Sequence, residues 1–247
     1  MSPGISIIVN CFNGEAFLRE AIDSIINQTY EDWEVIFFDN QSSDKSVEII
    51  QSYKDPRIKL YHSKRFLELG EARKLAFEQT KGVWIAFLDT DDYWYPQKLE
   101  KQMNLLQNES YILCYGGIHE INSKGKILKE TIPQHTSGQQ LELQLRQFEI
   151  NMVTPLILKK AMKDHQIFFD KNIIASEEYN LFLRLSARGK FLALPEVLGC
   201  WRIYSGSLTD RSIEHWWKDR AYTLKQLVKE NPSLRISHAK SLDVAWA

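Results

Sequence analysis

Between Ile5 and Tyr115 short apolar runs alternate with amphipathic stretches, and that rhythm leaves few folds open. Ile5–Val9 reads as a first strand, and the helix after it sets Phe17, Leu18, Ala21, Ile22, Ile25 and Ile26 on one stripe. Val35–Phe38 is a second strand, followed by a helix carrying Val47, Ile49 and Ile50. Arg57–Tyr61 is a short third strand, and a helix through Ala72, Leu75, Ala76 and Phe77 leads to the run Ile85, Phe87, Leu88. Tyr111–Tyr115 is a fifth strand. Nearly continuous apolar runs belong to strands covered on both faces. The alternation therefore predicts an α/β fold: a mostly parallel, Rossmann-like sheet flanked by helices, with right-handed crossovers.

From Gly116 the rhythm changes. HEINSKGKIL predicts a hairpin around Ser123–Gly125, followed by a helix near Leu141–Phe148 and a less regular region to Asp170. A further helix opens at Ser176–Glu178, with Ser176 as its cap, and ends at Gly189. Two short strands, Phe191–Leu194 and Gly199–Ile203, follow. The organisation read from this is one domain over residues 1–211, with halves 1–115 and 116–211, and a small helical extension over 212–247. That extension interleaves Trp216, Trp217, Tyr222, Leu224 and Leu227 with Lys218, Arg220, Lys225 and Lys229. Packing on the main domain is favoured for it, with an interfacial helix at a membrane surface as the alternative.

The 31 Lys and Arg balance 32 Asp and Glu, so no basic surplus points to a nucleic acid partner. Three widely spaced cysteines, Cys11, Cys114 and Cys200, suggest neither a disulfide framework nor a zinc site; buried thiols in a reducing compartment are expected. MSPGISIIVN lacks the basic region and long apolar core of a signal peptide, and no stretch approaches the ~20 apolar residues of a membrane span. The expected location is cytoplasmic, with peripheral contact at the inner face of the plasma membrane as its variant.

Polar clusters fall where strands end. NCFNGE (Asn10–Glu15) follows the first strand, and DNQSSD (Asp39–Asp44) follows the second. Each alone is an ordinary turn. The fourth strand ends in Asp89, Asp91 and Asp92, three carboxylates within four residues. The C-terminal edge of an open α/β sheet is where ligands bind. Three acids there need a positive partner, and a hard divalent cation carrying phosphate oxygens meets that need.

The order of ISIIVNCFNGEAFLREAIDSIINQTYEDWEVIFFDNQSSDKS, EARKLAFEQTKGVWIAFLDTDDYWYPQKLEKQ, SEEYNLFLRLSARG and WRIYSGSLT resembles the family-two inverting glycosyltransferases of GT-A fold, from about Ile5 to Thr209. The resemblance implies transfer of a sugar from a nucleotide diphosphate, commonly a UDP-sugar, to an acceptor hydroxyl. A glycan or lipid-linked sugar would be the acceptor, in surface polysaccharide or glycoconjugate synthesis.

Carried over by position, Asn10, Phe12, Asn13 and Glu15 would border the nucleoside, with Phe12 flat against the base. Asp39 or Asn40 would read the uracil edge, and Arg73 would stand near the base or diphosphate. Asp89-Thr90-Asp91 matches the DXD motif. Asp91 would be the direct ligand of Mn²⁺ or Mg²⁺, Asp92 would complete the shell, and Asp89 would touch ribose or sugar. Glu177 and Glu178 match the carboxylate pair ahead of an LxLRL helix, whose second member is usually the base. Arg202, Tyr204 and Ser207 would hold the last loop over the diphosphate.

Two positions depart from the family pattern. Glu178 stands where Asp is usual and reaches about 1 Å further, a scale of displacement worth ~10²-fold in rate. Either the acceptor pocket is set back or Glu177 is the base. Tyr204 stands where His is common, and a neutral Tyr can only donate a hydrogen bond to phosphate. These departures leave a catalytically inactive nucleotide-sugar-binding module as one rival. A sugar-1-phosphate nucleotidyltransferase is the other, but NCFNGE lacks the Arg and Lys its loop would carry.

Overall fold

The structure, a computed structural model, describes residues 3–107, 110–205 and 213–246. Its strands are β1 (Ile5–Cys11), β2 (Trp33–Asp39), β3 (Ile58–His62), β4 (Trp84–Phe87), β5 (Tyr93–Trp94), β6 (Tyr111–Ile121), β7 (Ile127–Thr131), β8 (Leu156–Leu158) and β9 (Lys190–Arg202). Its helices are α1 (Leu18–Ile26), α2 (Ser46–Ser52), α3 (Leu69–Glu78), α4 (Lys98–Leu106), α5 (Leu141–Arg146), α6 (Lys159–Asp164) and α7 (Glu177–Ser186). α8 (Trp216–Glu230), α9 (Leu234–Ser237) and α10 (Ala239–Trp246) complete the described chain.

The described strands form one sheet in the order β3-β2-β1-β4-β8-β6-β9-β5, with β7 paired to β6. β3, β2, β1 and β4 are parallel, as expected of the alternating half. β8 runs antiparallel between β4 and β6, while β6 and β9 are parallel. The α/β fold read from the sequence is therefore present, as a mixed sheet.

Burial on both faces follows from the pleat. Ile5, Ile7 and Val9 point toward Leu18, Ile22 and Ile25 of α1 in one core. Ile8, Ile36, Phe38, Ile85 and Phe87 point the other way, onto Ala72, Ala76 and Phe77 of α3. Gly82 enters β4 against the β1 backbone: an added Cβ would lie 2.4 Å from the Ser6 amide nitrogen. Gly82→Ala should therefore lower stability by ~1–3 kcal/mol, the usual range for overpacking, measured by urea unfolding. Stability within error of the wild type would show that this junction yields.

Three local expectations change. The two strands expected at Phe191–Leu194 and Gly199–Ile203 are one, β9. Its ladder with β6 shifts register around Gly116–Ile118, opposite Pro195, which has no N–H to give. A bulge bends the pair without ending it. Ser176 makes no side-chain cap bond to α7. β5 and β8, two and three residues long, are too short to leave a periodic signature.

The C-terminal extension packs on the main domain. Leu224 and Leu227 of α8, with Leu242 and Ala245 of α10, share a core with Leu141 and Leu145 of α5 and Tyr179 and Leu183 of α7. No described helix is long and apolar enough to cross a membrane.

Candidate active site

β1, β2 and β4 run parallel, so the turns after them share one sheet edge. The first two are stitched together. Asn13 and Gln41 adopt positive φ (54° and 69°), a conformation Asn tolerates better than most residues. The Asn13 amide donates to Ser42 Oγ (3.0 Å) and Gly14 to Ser46 Oγ (2.9 Å), while Asn13 Oδ1 accepts from the Ser43 amide (2.8 Å). Glu15 accepts from the Lys45 amide (2.8 Å), so it braces the turn behind the cleft wall. Gly14 lies so close to the acidic loop that a Cβ would sit 2.7 Å from Thr90 Oγ1.

The two candidates for reading the base are both engaged. Asp39 accepts from the Ser42 amide (3.2 Å) and faces His62 Nδ1 (3.2 Å). Asn40 pairs in both directions with the Leu67 backbone, at 2.8 and 3.0 Å, and so fixes the loop beyond β3. Asn10 differs: both amide atoms are buried without a partner among the described residues, and it lines the cleft. At the mouth, Phe12 and Phe66 meet edge to face at 4.9 Å, each about half exposed. Sequence reasoning missed Phe66, although a Phe after Lys64 and Arg65 in a polar loop was a usable signal.

The acidic loop is organised by two buried arginines. Arg73 of α3 binds Asp89 Oδ1 (2.8 Å) with one nitrogen and Glu177 with the other, joining the acidic loop to the carboxylate pair. Arg202 donates to the carbonyls of Asp91 (2.8 Å) and Asn122 (3.2 Å), ion-pairs with Glu20, and lies over the Phe17 ring at 4.2 Å. Asp91 accepts from the Tyr204 hydroxyl (3.0 Å). Asp92 accepts from the Arg202 amide (2.8 Å). Ser207 lies outside the described residues.

Each cation is shared with a carboxylate outside the loop, Arg73 with Glu177 and Arg202 with Glu20, and neither ion-pairs with Asp91 or Asp92, so the loop keeps an excess of negative charge. Burial, then the charge on Asp89, raises the Asp91 pKa above the usual carboxylate range. Burial, then Asp91, then Asp89, raises Asp92 well above it. Among the described residues no three His, Cys, Asp or Glu side chains are grouped to hold a metal ion. One or two carboxylates short of positive charge fit a hard divalent cation whose remaining ligands are phosphate oxygens and water.

Glu177 and Glu178 open α7, where the helix dipole favours an ionised carboxylate. They are held differently. Glu177 is buried against Arg73; burial pushes its pKa up to about 7, with the Arg73 charge opposing. Glu178 is half-buried and faces the cleft, and burial raises its pKa also. The turn before them is held by Asp219 of α8, whose Oδ2 accepts from the amides of Ile174 (3.0 Å), Ala175 (2.7 Å) and Ser176 (3.2 Å). No sequence signal pointed to Asp219.

One cleft of about 1750 Å³ joins these groups. It runs from Asn10 and Phe12 past Asp89, Asp91 and Arg73 to Glu178, and on to Trp216, Trp217 and Trp246. Asn10, Phe12, Asn13, Asn40, Arg73, Thr90, Arg202 and Tyr204 all border it. Asp39 and Glu15 stand behind its wall.

Comparison with known proteins gives the family and the fold. A family model described as glycosyl transferase family 2 matches residues 6–171. The chain is 32% identical over 207 residues to an uncharacterized glycosyltransferase of Methanocaldococcus jannaschii, covering 81% of this chain and 71% of that protein. It is 29% identical over 181 residues to the Escherichia coli UDP-Glc:alpha-D-GlcNAc-diphosphoundecaprenol beta-1,3-glucosyltransferase WfgD, covering 73% and 69%. The crystal structure of S. aureus TarS 1–349 in complex with UDP-GlcNAc matches with a TM-score of 0.78 at 17% identity, over 99% of this chain and 70% of that one. At that identity the structural likeness carries the fold, which is that of a glycosyltransferase.

Proposed function

The chain belongs to glycosyl transferase family 2, and from that premise we propose that it moves a sugar from a nucleotide diphosphate, preferably a UDP-sugar, to an acceptor hydroxyl with inversion at the anomeric carbon. The observation that carries this reading is one cleft holding both an under-neutralised Asp91 and an uncommitted Glu178, with Arg73 bridging between their loops. Residues 1–115 are the donor half, 116–211 the acceptor half, and 212–247 the extension that closes the acceptor side.

The orphaned Asn10 amide and the Phe12–Phe66 pair suit a nucleoside, one by hydrogen bonding and the other by ring contact. Mn²⁺ or Mg²⁺ would be held by Asp91, with Asp92 behind it, and would neutralise the charge gathering on the departing diphosphate. Tyr204 orients Asp91, and Arg202 fixes the backbone that carries it. Glu178 then takes the proton from the acceptor hydroxyl as its oxygen attacks the anomeric carbon. The bond from that carbon to the diphosphate breaks, and its electron pair leaves with the diphosphate. A single displacement inverts the centre and needs no covalent intermediate, as in inverting glycoside chemistry. Glu177, tied to Arg73, positions and does not take the proton. For the acceptor we favour a lipid-linked sugar. WfgD is named for such a substrate, and the exposed Trp217 beside Lys218 suits a headgroup layer.

UDP with Mn²⁺ at ~100 times the dissociation constant should stabilise the fold by about 2.7 kcal/mol, read as a thermal shift. Asp91→Asn keeps the volume, removes the charge and should abolish that shift without unfolding the protein. No response to UDP, GDP or dTDP with Mn²⁺ in the wild type would refute the donor assignment. A full shift in Asp91→Asn would place the metal elsewhere.

A further inference from the structure

Asp219 lies on the C-terminal extension, is only 4% exposed, and makes no ion pair among the described residues. Its Oδ2 instead gathers the amides of Ile174, Ala175 and Ser176 at 3.0, 2.7 and 3.2 Å, with Ser176 Oγ at 3.5 Å. The next residues are Glu177 and Glu178. Ser176 supplies no side-chain cap, so the entry into α7 is held from 43 to 45 residues away along the chain. Amide bonds to an ionised carboxylate are about twice as strong as neutral ones.

The helix that carries Asp219 is itself fixed to α7. Asn180 donates to Thr223 Oγ1 (3.0 Å) and Gln226 Oε1 (2.9 Å), and Arg184 pairs with Glu230 (2.8 Å). Leu224 and Leu227 pack with Tyr179 and Leu183. The same α8 presents Trp216, Trp217 and Arg220 to the cleft. One element therefore borders the acceptor end and holds the turn in front of the carboxylate pair.

We propose that Asp219 is a positioning residue for Glu178, so that the extension is a working part of the active site and not an appendage. The inference rests on the proposed function, since it assigns Glu178 the proton. With Asp219 removed, the Ile174–Ser176 turn loses its anchor and Glu178 loses its register. A displacement near 1 Å is enough to lower the rate about 10²-fold while leaving the donor side untouched.

The test compares Asp219→Ala, Asp219→Asn and, as a control on an exposed position of the same helix, Lys229→Gln. Turnover is read as UDP release with water as acceptor, using whichever of UDP-glucose, UDP-galactose and UDP-N-acetylglucosamine the wild type uses best. In Asp219→Ala we expect kcat to fall about 10²-fold with the donor KM within about twofold of the wild type. Asp219→Asn, which keeps one acceptor oxygen, should recover part of the loss. Its kcat–pH profile should also move on the acid side toward lower pH. Glu178 is faced by Glu177 beside it, Arg73 from α3, Asp89 after β4 and Asp219 from α8, and loss of one negative neighbour eases its ionisation. A purely structural role would leave that limb in place.

Amide exchange at Ile174–Ser176 should quicken in Asp219→Ala, and Lys229→Gln should change neither kcat nor the limb. Unchanged exchange, an unmoved acid limb, or an equal loss in Lys229→Gln would each overturn the inference. A wild type that releases UDP from none of the three donors would instead reject the UDP-sugar part of the proposed function, and amide exchange at Ile174–Ser176 would still test the anchor.

Discussion

Glu178→Gln is expected to bind the donor as the wild type does and to turn over about 10²–10⁴-fold more slowly, the range that general-base catalysis supplies. Gln keeps the shape and the helix start and loses only the ability to accept a proton. The two members of the pair are separated by their partners. Glu177 is spent on Arg73, whereas Glu178 lies open to the cleft with no side chain bonded to it among the described residues. Glu177→Gln should accordingly be the milder change, acting through the orientation of α7. Single-turnover transfer at saturating donor separates binding from chemistry. The inverse pattern, with Glu177→Gln dead and Glu178→Gln active, would move the base one residue back. The pH dependence has a definite sign. A base works ionised, burial raises the Glu178 pKa, and so the rate should climb with pH through a limb above the ordinary glutamate range. Equal activity for both variants would reduce the pair to partners of the helix dipole, worth only ~0.3–1 kcal/mol each in stability.

What was legible in the sequence was what local chemistry dictates. β1, β2 and β4 announce themselves because strands buried on both faces are nearly continuous apolar runs, and Asp89, Asp91 and Asp92 mark the edge because three acids within four residues cannot continue into such a core. The GT-A reading followed from the same motifs. Hidden from the sequence was what depends on distant partners. Glu15 looks like a cleft residue, yet its Oε2 is occupied in bracing the turn after β2, and Asn13, which does border the cleft, spends its Oδ1 on the same turn. Asn40 offers the donor and acceptor of a base reader, but Leu67 takes both. The choice between Glu177 and Glu178 turns on Arg73, 104 residues upstream. Whether the extension packs on the main domain depends on what Leu224 and Leu227 meet, and they meet α7 and α5.

Arg73→Met should be the most damaging single change to stability, and its cost should depend on pH. The guanidinium is only 5% exposed, bonds Asp89 and Glu177 at once, and stands 5.2 Å over the Phe169 ring. Removing one partner of a buried pair costs roughly 3–5 kcal/mol, because a charge is left in the interior without its counterion. Here that charge is on Glu177, since the Asp89 side chain is 40% exposed and water can serve it. Glu177 has its pKa raised to about 7 even with Arg73 beside it, and without that cation it rises further. An acid whose folded-state pKa is raised weakens the fold progressively from its unfolded pKa up to its folded one, and the whole penalty is present only above the folded value. Since Glu177 of the wild type ionises only above about 7, the loss due to this charge opens there and grows by about 1.4 kcal/mol per pH unit until the variant's own folded value is passed, so it is expected at pH 8. At pH 5 Glu177 takes a proton in the folded state, and most of the loss should be relieved. Urea unfolding of wild type and variant at the two pH values, with unchanged slope, reads the difference directly. Arg73→Lys should rescue little, because one ammonium cannot bridge two carboxylates as a planar fork does. An equal loss at both pH values would mean that Arg73 stabilises through its packing on Phe169 and not through charge. The electrostatic joint between the acidic loop and α7 would then have to be abandoned.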